Sequence, residues 1–148
     1  GDARFVKHAL LDFDAIRAHC QGLVDEYDVK TPSLDTLAQS LSGGNIQKLI
    51  LARELSGTPK VLIAAQPTRG VDIGASEYIH QRLIQQRSEA TAVLVVSEDL
   101  DEIFALSDRI AVIYEGEIIG IVDAGSTTRE AIGLMMAGVR PEAEAGGE

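Results

Sequence analysis

This sequence of 148 residues lacks several of the features by which a chain most readily declares its class. It has one cysteine, Cys20, so no disulfide can form within it, and such sparing use suits a reducing compartment. No apolar run approaches the roughly 18 residues of a membrane span, and no secretory signal pattern is visible. Any link to a membrane is therefore expected to come through a partner. Basic residues are scarce, 13 Lys and Arg against 23 Asp and Glu, for a net charge of −10. That balance argues against nucleic acid as a partner, because a nucleic-acid footprint normally needs a basic face. Only four lysines occur and none follows a glycine, so the Gly-x-x-x-x-Gly-Lys-[Ser/Thr] loop that wraps phosphates is missing. The only methionines are Met135 and Met136. Without an initiator methionine, the chain is expected to be a segment of something longer.

What is present is enough for one compact domain. Apolar residues make up 45% of the chain, and its length permits a real core. Residues 12–28 read as a helix, with Ile16, Cys20, Leu23, Val24 and Tyr27 at helical spacing and Asp12 or Asp14 as the cap. Thr31-Pro32-Ser33 breaks it, and a short helix is predicted over 34–38. Ser42 is expected to cap a helix through Leu55, with Ile46, Leu49 and Ile50 on one face, stopped by Ser56-Gly57-Thr58-Pro59. Beyond it strand and helix alternate. Residues 61–65 and 91–97 read as strands buried on both faces, and 75–88 and 99–106 as helices, with Ile79 and Leu83 of the former turned inward. Residues 109–114 and 117–122 form a hairpin about Glu115-Gly116. Thr127-Thr128-Arg129-Glu130 reads as a capping box for a last helix. Residues 140–148 are expected to be a disordered acidic tail. The subdivision predicted is a helical part over 1–59, an α/β part over 60–139, and the tail.

Two runs carry chemistry. The first is Leu41-Ser42-Gly43-Gly44-Asn45, followed by Ile46-Gln47-Lys48. The first N–H groups of a helix are unpaired and carry about half a positive charge. Glycines let a phosphate approach them, and a serine hydroxyl adds a hydrogen bond. Alone, Ser-Gly-Gly is more often an ordinary capped helix with a glycine-rich entry. The second run, after residues 49–60, is Val61-Leu62-Ile63-Ala64-Ala65-Gln66-Pro67-Thr68-Arg69-Gly70-Val71-Asp72.

In order and spacing these runs resemble the signature motif, Walker B strand and D-loop of ABC-type ATPases, a resemblance that spans roughly residues 12–138. It implies a partial P-loop NTPase fold: an α/β, mainly parallel sheet flanked by helices, with a helical subdomain in front and no Walker A strand. It also implies that Ser42, Gly43, Gly44 and Asn45 close over the γ-phosphate of an ATP held by the Walker A loop of a partner domain, and that Asp72 is the D-loop aspartate at the dimer seam. Asp72 as a cap for the following helix is compatible with that role.

The departures are equally specific. Ala65 and Gln66 stand where the family has the Mg²⁺-holding Asp and the water-activating Glu. Ala65 has no side-chain oxygen for a metal. Gln66 cannot take a proton, and loss of a general base typically costs ~10²–10⁴ in rate. At the switch-histidine position, in Val95-Val96-Ser97-Glu98-Asp99-Leu100, stands Glu98, which would repel a γ-phosphate. As a plain structural residue it would be an exposed acid in the first turn of a helix.

Among ABC proteins, tandem importer ATPases for simple sugars and nucleosides are similar in the Pro-Thr-Arg-Gly-x-Asp and Ser-Glu-Asp-Leu-Asp-Glu runs. The resemblance implies the C-terminal part of their second nucleotide-binding domain, in which one composite site is competent and the other silent. The cofactors implied are ATP and Mg²⁺ in the complete domain pair, with no ATP binding expected of this chain alone. The partners implied are a second ABC domain carrying Walker A and transmembrane permease subunits, at the inner face of the cell membrane. The alternative is a non-catalytic binding or regulatory module that uses the ABC dimer seam for assembly. A soluble ABC protein of DNA repair or translation fits less well, since those generally keep Asp-Glu in Walker B. Without the Walker A strand, the strand at 109–114 is expected to lose its neighbour, leaving the chain less stable than a complete domain or self-associating. His8, His19 and His80 have no metal-ligand spacing, no metal site is expected, and Cys20, Met135 and Met136 read as packing.

Overall fold

The computed structural model describes residues 5–7 and 10–140. Its elements are β1 (Val6–Lys7), β2 (Leu10–Leu11), α1 (Phe13–Glu26), α2 (Gly43–Leu55), β3 (Val61–Ala65), α3 (Ile73–Ser88), β4 (Ala92–Val96), α4 (Leu100–Leu106), β5 (Arg109–Tyr114), β6 (Glu117–Asp123) and α5 (Arg129–Met136). Short 3₁₀ turns occupy Ala38–Ser40 and Ala124–Ser126. Helices α1 to α5 each start from a side-chain cap: Asp12, Ser42, Asp72, Asp99 and Thr128 accept hydrogen bonds from first-turn N–H groups. A cap of this kind is worth ~1 kcal/mol, so five short polar residues punctuate the whole fold.

Among the described residues the strands pair in three ribbons, β1 with β2, β3 with β4, and β5 with β6. The first and last pairs are antiparallel, and β5 turns directly into β6 as a hairpin. In the middle pair the Ala92 N–H donates to Lys60 O at the start of both strands, and the Gln66 N–H to Val96 O at their ends. Start meets start, so this pair is parallel. The architecture is therefore α/β.

The described residues divide into two compact units, one of those up to residue 63 with 67–94, the other of 64–66 with 95–140. This is a division by packing, whereas residue 59 marks a change in sequence pattern. In the first unit α2 packs against α1 and α3, and the core gathers Tyr27, Leu51, Ala52, Leu55, Ile79 and Leu83. In the second, Ile110, Val112, Ile132 and Met135 form the core, with Leu100, Ile103 and Phe104 of α4 against it. Each unit has the face-against-face burial that a small α/β layer requires.

Several sequence expectations are corrected. Residues 34–38 form no helix; a turn at Leu34–Asp35 leads into the 3₁₀ turn, because Ser33 and Thr36 hydrogen-bond each other and local backbone instead of leaving it to a helix. In α2 the buried face runs through Gly44, Leu51, Ala52 and Leu55, while Leu49 and Ile50 are exposed. The cap of α5 is Thr128, not Thr127: its hydroxyl accepts the Ala131 N–H, one residue later than the capping-box reading. β3 and β4 are open on one side rather than buried on both, with Val61, Ile63, Leu94 and Val96 exposed. The tail beyond Arg140, like His8, lies outside the described residues.

Candidate functional site: the signature turn and its surroundings

Ser42 leaves an extended backbone and opens α2. Its Oγ accepts the Asn45 N–H at 3.4 Å and the Asn45 side-chain amide at 2.9 Å. The other end of that amide, Oδ1, accepts the Lys30 N–H at 2.7 Å. These two bonds fix which way the amide faces. With both lone pairs of Oγ engaged, the Ser42 hydroxyl proton is left to donate outward. Beside it, the first-turn N–H groups of Gly43 and Gly44 have no acceptor within the helix. Together they make a donor cluster suited to an anion.

A polar brace holds this turn from behind. Lys30 follows the end of α1, where Asp28 sits in the left-handed region (φ 49°). There the Val29 N–H donates to Val24 O and the Asp28 N–H to Asp25 O, a Schellman closure that Asp tolerates better than most residues. The Asp28 carboxylate accepts from Lys30 Nζ at 2.5 Å and Lys48 Nζ at 3.0 Å. These bonds, that from Lys30 foremost, hold the Asp28 carboxyl below its ordinary range. Lys48 is itself largely buried, with 13% of its side chain exposed, and its ammonium lies 4.5 Å from the centre of the Tyr78 ring.

Asp72 caps α3 through the Ala75 N–H at 2.9 Å. It also borders the signature turn, since a Cβ placed on Gly44 would lie 3.7 Å from Asp72 Oδ2. The structure thus brings Ser42, Gly43, Gly44, Asn45 and Asp72 together within one unit.

Ala65, Gln66 and Glu98 belong to the other unit. Ala65 ends β3 and is exposed. Gln66 follows in the left-handed region (φ 50°), its N–H bonded to Val96 O at 2.7 Å. Glu98 is exposed and precedes the Asp99 cap. It is therefore not a first-turn helix acid; Asp101 and Glu102 hold that place. Neither Ala65 nor Gln66 brings a carboxylate for Mg²⁺, so this strand end does not fit the ion, whereas the α2 turn does fit a phosphate. Among the described residues no group of three His, Cys, Asp or Glu side chains could hold a metal, and no helix is long and apolar enough to cross a membrane. His19 lies beside Phe5, with ring centres 5.1 Å apart and the planes tilted by 46°. Sequence reasoning missed the brace of Asp28, Lys30 and Lys48, because one link is a backbone N–H that no side-chain pattern encodes.

No protein-family model matches the chain. Individual proteins do. It is 52% identical over 89% of its length to the nucleoside import ATP-binding protein NupA of Lactococcus lactis, and 51% identical over 91% to the glucose import ATP-binding protein TsgD13 of Haloferax volcanii. It is 55% identical over 80% to the guanosine import ATP-binding protein NupO of Bacillus subtilis. The chain spans about a quarter of the length of these relatives: 26%, 25% and 23%. In fold it matches a dimeric ATP-binding cassette, MJ0796, bound to ADP and Pi, with TM-score 0.66 over 80% of this chain and 51% of that one. The cassette MJ1267 in its ADP conformation matches with TM-score 0.62 over 86% and 48%. At 22% and 20% identity these two likenesses speak for the fold alone. By sequence and by fold, the chain belongs to the ABC-type ATP-binding proteins.

Proposed function

We propose that the chain is the C-terminal part of the second nucleotide-binding domain of a tandem ABC importer ATPase for a simple sugar or nucleoside. On this reading residues 1–59 are part of the signature subdomain and 60–139 the end of the ATPase core. The single observation that carries it is the contrast between two sites. The signature turn is complete, with its serine hydroxyl held as an outward donor, while Ala65 and Gln66 lack the carboxylates that hydrolysis needs. The relatives' names, which give nucleoside, glucose and guanosine import, support the solute class.

A nucleotide's γ-phosphate, presented by the Walker A loop of the first domain, would be met by Ser42, Gly43 and Gly44. Bound there, ATP supplies the phosphoanhydride whose cleavage drives transport. What this chain contributes is charge stabilisation and exclusion of water around that phosphate; Mg²⁺ and the water-activating carboxylate come from the partner domain. Asn45, whose amide is spent on Ser42 and Lys30, orients the turn. Asp72 lies beside it, at the seam. Permease subunits would hold the pair at the inner membrane face. The second reading, a non-catalytic module that assembles through the same seam, is favoured by Ala65 and Gln66 alone.

The test is Ser42→Arg in the full-length protein. An arginine at the cap both removes the donor and fills the phosphate's place, so ATP hydrolysis should fall to background. Turnover that survives the substitution sinks the assignment, and the assembly reading then stands.

A further inference from the structure

The signature glycines are usually easy to read as room for a phosphate, but here their missing side chains face the protein. A Cβ on Gly44 would meet the Ala75 Cβ at 2.8 Å, and a Cβ on Gly43 would meet the Gly70 carbonyl oxygen at 3.1 Å. Gly44 is buried, and so is Ala75, at 8% exposure. Neither obstacle can swing aside. The Gly70 oxygen is backbone, and the Ala75 methyl is fixed to the first turn of α3, whose N–H is held by Asp72 Oδ1 at 2.9 Å.

We infer that Ala75 is a positioning residue for the ATP site: its methyl sets how closely the start of α2 approaches the start of α3, and so fixes Ser42 and Asp72 as one rigid piece. This rests on the reading of Ser42 as a phosphate donor and adds a requirement to it. α2 at this height keeps the Ser42 hydroxyl and the Asp72 carboxylate in constant relation. The consequence for Gly44 is specific. Its bareness serves the packing of two helix starts, and an added methyl is harmful only while the Ala75 methyl opposes it.

That pair can be exchanged. Gly44→Ala moves a methyl into the contact, and Ala75→Gly takes the opposing one away. The four forms (wild type, G44A, A75G and G44A/A75G) should be compared in this chain by urea unfolding, and in the full-length protein by ATP turnover, with S42R alongside. In unfolding, the double variant is expected to be more stable than the sum of the two single effects allows. In turnover, G44A is expected to lose at least tenfold and G44A/A75G to regain at least half of the A75G rate. A double variant as slow as G44A overturns the inference, because Gly44 would then be bare for the ligand's sake. A G44A protein as fast as wild type overturns it as well. Should S42R keep its turnover, the failure lies with the phosphate-donor reading. The unfolding cycle still decides whether the two helix starts are matched.

Discussion

At the scale of single residues, Asp28 does the work of several. It closes α1 in a left-handed conformation, accepts from Lys30 and Lys48, and so steadies the loop whose Lys30 N–H orients Asn45. Its carboxyl is held below the ordinary value by Lys30 first and Lys48 second. An unfolded Asp titrates near ~3.9. A group whose folded value is depressed adds stability that is present above the unfolded value and lost as pH falls through the folded one. Urea unfolding of wild type and Asp28→Asn, followed between pH 7 and pH 2.5, should therefore give a difference that is constant down to about pH 5 and shrinks below about pH 4. A difference that grows on acidification would contradict the pairing. The caps at Ser42 and Asp72 were legible in the sequence because capping is chemistry among neighbours. The joint task of Asn45 and the match of Gly44 to Ala75 were not, since their partners lie in other elements.

At the scale of elements, helix ends decide much of this fold. α5 finishes in a Schellman closure: the Gly138 N–H bonds to Met135 O at 2.9 Å and the Val139 N–H to Leu134 O at 3.0 Å. Gly138 sits at φ 89°, and a Cβ there would lie 2.8 Å from the Tyr114 ring. Gly138→Ala meets both a backbone penalty of ~1–2 kcal/mol and that ring. It is expected to destabilise the chain by ~2 kcal/mol or more, read as a lower urea midpoint. Gly57→Ala, at a glycine without a left-handed φ and with open space around its Cβ position, is the control. Strong periodic elements such as α3, with Ile79 and Leu83 turned inward, and the β5–β6 hairpin could be read from the sequence almost to their ends. The openness of β3 could not. A continuous apolar run reports that both faces favour burial; it is silent on what is there to cover them.

At the scale of the whole molecule, that openness has a measurable effect. Val61, Ile63 and Leu94 keep 62%, 66% and 56% of their surface exposed on two paired strands. Adjoining apolar side chains of this kind are prone to association. The chain is expected to self-associate with rising concentration in sedimentation velocity, against the mutual repulsion of its −10 charge. The double substitution Ile63→Thr and Leu94→Thr, which keeps strand propensity, should shift it toward monomer. A wild-type chain that stays monomeric at high concentration and high salt would show that these faces are not adhesive. The ABC resemblance carried the broad fold from two short motifs. What the motifs could not convey is how the described residues divide into packing units, because that depends on contacts between distant segments.

The division into two units also orders events in time. The core around Ile110, Val112, Ile132 and Met135 is drawn from one stretch of chain, with only residues 64–66 recruited to its unit from afar. A hairpin and the helix that follows it meet by closing small loops, on a timescale of microseconds. The first unit must bring α1 to α3, as in the bond from Arg82 to Glu26 O across 56 positions of sequence. Closing such distances is the slow part of folding. The half that carries the signature turn should thus be the last to take shape, and a chain caught midway would display its hairpin before it could offer Ser42 to a phosphate.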